Sequence, residues 1–155
     1  MIASGYNNLQ IVKLLMQEGA IVSKKDNYGA TAAHIAAEYG RNDVLRHLLI
    51  SGVNVDEKGE CNLTLLHKAA CWNLHSTVEM LLNEFDGRSI VNNNSNDFKR
   101  TPLTCAIRYS GDLAMVKILI NAGANKEKVD RDNKTALDHA NELQKLDIVN
   151  YLQKL

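Results

Sequence analysis

Thr31, Thr64, Thr101 and Thr135 each open a similar segment, at spacings of 33, 37 and 34 residues. A fixed period of this size constrains the fold more than any other property of the chain. Each period is one supersecondary unit that cannot bury its apolar face alone, so successive units must stack into a solenoid. A second marker keeps the same register: Met16, Leu49, Leu82, Ile120 and Gln153 stand 33, 33, 38 and 33 residues apart. Against a period of 33, four extra residues fall between Asp86 and Lys99 and one falls near Ser110 and Gly111.

Each unit reads as two short helices. The threonine suits an N-cap, and Pro102, the single proline, stands at the first helical position. Three residues on come His34, His67, Thr104 and Asp138, polar side chains placed to bond back to the cap or to the adjoining loop. The first helix should stop near Asn7, Gly40, Asn73 and Gly111, types that accept a left-handed backbone, with Gln144 as the exception. Apolar residues then recur at helical spacing: Ile11, Val12 and Leu15; Val44, Leu45 and Leu48; Val78 and Leu81; Met115, Val116 and Leu119; Ile148, Val149 and Leu152. Gly19, Gly52 and Gly123 close three of these second helices. Helices this short are marginal in water, so their stability must come from their neighbours. Two positions before each threonine stand Gly29, Asn62, Lys99 and Asn133, and all but the lysine favour a tight turn with positive φ.

Thr31-Ala32-Ala33-His34-Ile35-Ala36-Ala37, Thr64-Leu65-Leu66-His67-Lys68-Ala69-Ala70 and Thr101-Pro102-Leu103-Thr104-Cys105-Ala106 resemble the Thr-Pro-Leu-His-x-Ala signature of ankyrin repeats. Residues 8–20 and 118–124 resemble the second helix and turn of that family. The resemblance implies an all-α ankyrin-repeat solenoid of stacked helix-turn-helix units joined by β-hairpin-like loops. It would be one domain over residues 1–155, about four full units plus a truncated first one, with approximate units 1–25, 26–58, 59–95, 96–129 and 130–155. Gln153, polar where the earlier helices are apolar, is the expectation for a terminal cap. The chain starts inside a unit, so the expectation is either a parent protein that extends N-terminally or an exposed edge suited to weak self-contact.

Composition narrows the function. Eighteen basic and eighteen acidic residues balance, so no net field draws the chain to nucleic acid or anionic lipid. No apolar run approaches membrane-spanning length. Cys61, Cys71 and Cys105 are unevenly spaced and suit reduced thiols in a cytoplasmic setting, which would be a host cytosol if the chain is an effector. Cys71 and His75 stand four apart, but a helix stop is expected between them and zinc would need four ligands. Neither a phosphate loop nor a nucleophile elbow is present, so no catalytic, cofactor or metal site is expected. The polar tract from Ile90 to Asp97 reads as a lengthened surface finger.

The aromatic residues fall in two register positions. Tyr6, Tyr39, Trp72 and Tyr109 share one near the end of the first helix, continued by Leu143, and Tyr28 and Phe98 share another on the loop arm. Six of the eight aromatics thus lie off the core stripe. Rigid aromatics and arginine dominate interface hot spots. The expected protein-binding set is Tyr28, Glu38, Tyr39, Lys68, Cys71, Trp72, Phe98, Arg100, Arg108 and Tyr109, with Trp72 and Tyr109 at its centre. The expected function is a non-catalytic adaptor, monomeric, gripping another protein with its concave helix face and loop tips. The rival is a targeting segment of a larger enzyme or host-directed effector whose catalytic domain lies elsewhere.

Overall fold

A computed structural model describes residues 1–94 and 96–155, with position 88 described by its backbone alone. Helices come in consecutive pairs: α1 (Ile2–Gly5) with α2 (Leu9–Gln17), α3 (Ala32–Glu38) with α4 (Asn42–Ile50), and α5 (Leu65–Cys71) with α6 (His75–Glu84). A short α7 (Gly87–Ile90) follows, then α8 (Pro102–Tyr109) with α9 (Leu113–Asn121), and α10 (Ala136–Glu142) with α11 (Leu146–Gln153). The first members stack in the order α1, α3, α5, α8, α10, and form an inner row. The second members form an outer row in which α2 meets α4, α4 meets α6 and α9 meets α11. This is the expected solenoid. None of the helices is long and apolar enough to cross a membrane, among the described residues.

Side-chain size sorts the two rows. Ala33, Ala36, Ala37, Ala69, Ala70, Ala106, Ala136 and Ala140 are buried on the inner helices, where small side chains let backbones approach. Leu45, Leu48, Leu81, Met115, Leu119, Ile148 and Leu152 fill the space behind them from the outer helices. Ile11 and Leu15 depart from the expected core stripe and are half exposed. The inner partner of α2, α1, spans only four residues, and of the periodic residues of α2 Val12 alone is buried.

Threonine caps open α3, α5, α8 and α10 as the register predicts. Thr64 Oγ1 accepts from the His67 N–H at 3.4 Å, and the Thr64 N–H donates to His67 Nδ1 at 3.3 Å. Asp138 and Thr135 repeat this exchange, at 2.8 and 3.2 Å. His34 and His67 reach further: their Nε2 atoms meet the carbonyls of Glu57 at 3.1 Å and Arg100 at 2.9 Å. One side chain thereby ties its own cap to the loop arm of the next pair. Helix stops and loop-arm turns follow the register even where residue type argues against it, since Gln144 (φ 55°), at a helix stop, and Lys99 (φ 51°), in a loop-arm turn, adopt the same left-handed backbone as their Asn and Gly counterparts. Position in the repeat overrides the local preference of the residue.

Loop arms form hairpin-like turns with no strand among the described residues. Asp26 N–H donates to Ala30 O at 2.9 Å, Gly59 N–H to Leu63 O at 2.9 Å and Asp130 N–H to Lys134 O at 3.0 Å. The position five residues before the cap threonine carries Asp26, Asn96 and Asp130, whose carbonyl or carboxylate oxygens accept two backbone N–H groups each. Gly59 occupies that position in the remaining arm. A Cβ there would stand 2.5 Å from the His34 ring, so only glycine leaves room for the capping histidine.

The insertion is not the exposed finger expected from its polarity. After Asp86, in a left-handed conformation, α7 turns inward and buries Ile90 and Val91 in the core. Asn92 Nδ2 donates to Gly123 O at 2.9 Å while its Oδ1 accepts from the Asn125 N–H at 2.7 Å. Asn93 Nδ2 donates to Asp56 at 2.8 Å. Two apolar residues in an otherwise polar tract suffice to anchor it, and the asparagines then satisfy neighbouring turns.

Candidate protein-binding groove

Where the inner row meets the loop arms, α5 and α8 bound a groove of about 390 Å³. Lys68, Cys71, Trp72, Phe98, Arg100 and Tyr109 line it, six of the ten residues expected to bind protein. Register explains this convergence. Trp72 and Tyr109 end successive inner helices, eight residues after their cap threonines, while Phe98 lies on the arm three residues before one. The rings remain largely in solvent: Trp72 is 60% exposed, Tyr109 61% and Phe98 41%. None of the three is buried.

The charges beneath these rings are already engaged. Lys68, nearly buried, donates to Glu38 at 3.0 Å and Glu60 at 2.9 Å. Burial pulls its ammonium down, but the bonds to Glu60 and Glu38 outweigh that and hold it above the ordinary lysine value. Glu38 therefore serves as a partner to Lys68. The Arg100 guanidinium lies over the Phe98 ring, 4.7 Å from its centre. Its Nε stands 3.6 Å from Asp130 Oδ2, an ion pair too long for a hydrogen bond, and is buried with no hydrogen-bond partner. Its Nη1 reaches the Tyr109 hydroxyl only at 3.5 Å. Asp130 is otherwise satisfied by His139 Nε2 at 2.8 Å and by the backbone N–H groups of Asp132 and Lys134. Burial pushes its carboxyl up, and the bonds from Lys134, His139 and Asp132 together carry it below the ordinary value.

The remaining expected residues lie elsewhere. Arg108 is half-buried between α8 and α10 and donates through Nη1 to His139 Nδ1 at 2.8 Å, which makes it a tie between neighbouring pairs. Tyr39 lines a second groove of about 400 Å³ with Tyr6, Ile35 and Arg41, between α1 and α3. Tyr28 is exposed on its loop arm and lines neither groove. Cys71 and His75 part company: the thiol faces the first groove, and His75 Nε2 lies 3.2 Å from Asp112 Oδ1.

Five groove residues were not among those expected: Glu60, Cys61, Leu63, Asn96 and Cys105. Cys105 was legible in principle. It stands four residues after Thr101, and Cys71 seven after Thr64, so the two occupy one face of adjacent inner helices one turn apart. Asn96 is buried, its Nδ2 donating to the Arg100 carbonyl beside His67, and it shapes the arm that carries Phe98 and Arg100.

Ankyrin repeats (3 copies) is the family description that matches, over residues 1–59, 43–130 and 66–155. The chain is similar to an ankyrin repeat protein of fowlpox virus (strain NVSL), 32% identical over 123 residues, 79% of this chain and 27% of that protein. It is also similar to neurogenic locus notch homolog protein 1 of Xenopus laevis, 30% identical over 142 residues, 89% of this chain and 5% of that protein. Mitochondrial disaggregase of Bos taurus is 30% identical over 140 residues, 90% of this chain and 20% of that protein. The chain thus spans a small part of the length of these relatives, 27% at most. The repeat they share is a non-catalytic fold that generally serves protein interaction. With a threonine-capped helix pair recurring along the stack and the family match running from residue 1 to residue 155, the chain belongs to the ankyrin repeat family.

Proposed function

We propose that this chain is a protein-recognition module whose partner docks on the groove between α5 and α8, with Trp72 and Tyr109 as the anchoring side chains. One observation carries the reading: two large rings, each about three-fifths exposed, flank a groove whose floor holds the immobilised charges of Lys68 and Arg100. Rigid aromatics lose little conformational freedom on being covered, and a fixed floor costs no reordering. Tyr39 and Tyr28 extend the contact outward, while Glu38 and Arg108 act by holding the scaffold. The division into units 1–25, 26–58, 59–95, 96–129 and 130–155 is the frame in which this surface repeats.

Affinity capture on the full chain tests it, comparing wild type with the Trp72→Ala, Tyr109→Ala double variant, each checked for native helicity. Proteins retained by wild type should be lost from the double variant. Equal recovery of the same proteins by a folded double variant would place the interface elsewhere. The rival reading, a targeting segment of a larger host-directed protein acting in a host cytosol, draws on the viral relative and on the small share of each relative that the chain covers. Its test is the length of the translated product.

A further inference from the structure

We propose that Cys71 and Cys105 form a redox-active dithiol on the floor of this groove, which a hydroperoxide converts to a disulfide joining α5 to α8. The two thiols sit on contacting inner helices, α5 and α8, line the same groove and influence each other's ionisation. Cys71 is partly exposed and Cys105 is buried, and both line the groove, which is the route by which a small oxidant reaches them. The groups facing them favour a thiolate at Cys71. The bond from Cys105 holds the Cys71 thiol below its ordinary value against the opposing effect of burial, and Lys68 and Arg100 add to this while Glu38 works against it. Cys105 is pushed well above its ordinary value by the same contact and by burial, with Arg100 and Arg108 opposing. One thiol is thus the nucleophile and the other keeps its proton until it is needed. Glu38 and Glu60 are both bonded to Lys68, which offsets part of their negative charge.

The chemistry balances with a hydroperoxide as the oxidant. The Cys71 thiolate attacks the terminal oxygen of hydrogen peroxide, the O–O bond breaks, and the departing hydroxide takes a proton to become water. Cys71 is then a sulfenic acid. Cys105 attacks the Cys71 sulfur, the S–O bond breaks, and the Cys105 proton leaves with the hydroxide as a second water. Two thiols have lost two electrons and the peroxide has gained them.

The test uses the reduced full chain, treated with a stoichiometric amount of hydrogen peroxide, denatured, blocked with a maleimide and weighed intact before peptide mapping. Disulfide formation removes about 2 Da, the two thiol hydrogens, leaves one maleimide adduct on Cys61, and yields a linked peptide pair holding Cys71 and Cys105. Cys61→Ser should give the same bridge, and Cys105→Ala should trap Cys71 as a sulfenic acid that reacts with dimedone. The proposal is overturned if wild type forms a bridge that includes Cys61. It is equally overturned if Cys71 accumulates as an oxidised monothiol, or if both inner thiols take the maleimide after Cys61 has been oxidised. The wild-type result decides the matter even if a variant fails to fold.

Discussion

Acid should loosen this stack through His67 before it titrates any carboxylate cap. The ring is fully buried, and Nδ1 accepts from the Thr64 backbone and hydroxyl at 3.3 and 2.8 Å, so Nε2 carries the hydrogen donated to Arg100 O. Burial, opposed by the backbone bonds, lowers its value from 6.5 to about 4. A second proton would face the Thr64 N–H and lose the cap. The unfolded chain therefore binds one more proton than the folded chain between these two values, and stability falls as pH drops through that window. The interval multiplied by about 1.4 kcal/mol per unit gives a loss of about 3 kcal/mol by the lower end. His34, lowered mainly by burial, adds in the same direction. Asp112, Asp130 and Asp138 are depressed below 3.8, so their contributions are lost only further into acid. Urea unfolding at closely spaced pH values should show the decline in wild type, with a slope shallower by about 1.4 kcal/mol per pH unit in His67→Gln. An imidazole resonance of His67 titrating near 6.5 in the folded protein, or equal slopes in the two proteins, would refute the reasoning.

Scaffold and surface should separate cleanly under mutation. Leu81→Ala, at a fully buried outer-helix position, should lower unfolding free energy by about 2 to 5 kcal/mol through the cavity it leaves. Trp72→Ala, losing only the covered part of a mostly exposed ring, should cost about 1 kcal/mol; equal losses on thermal melting would place Trp72 in the interior. Gly59→Ala should cost about 1 to 3 kcal/mol by driving a methyl group into the His34 ring. A melting temperature unchanged by that substitution would show that the histidine moves aside freely.

The two register markers together, the cap threonines and the outer-helix position that begins at Met16, were sufficient to place the helix pairs, because the repeat constrains each residue through several neighbours at once. Lys99 and Gln144 show the strength of that constraint, since each is bent left-handed by its place in the array against its own preference. The polar insert was misread because burial there depends on two residues, Ile90 and Val91, and on a left-handed turn at Asp86, a residue type that does not by itself announce that backbone. The aromatic row was legible because it too obeys the period. The ion pairs beneath it were not: Lys68 meets Glu38 and Glu60 at sequence separations of 30 and 8, and neither separation is a helical spacing. Arg108 illustrates the same limit, for its partner His139 belongs to the next pair and only the stack brings them together.

The insert between α6 and α8 shows where an array of this kind can lengthen without losing step. The additional residues are folded back behind the stack, like a pleat taken in at a seam, and Thr101 still begins its helix in line with Thr64 and Thr135. Growth there leaves the groove between α5 and α8 in register. New segments spliced after an outer helix should therefore be accommodated where the same number of residues placed before a cap threonine would throw the next helix out of alignment.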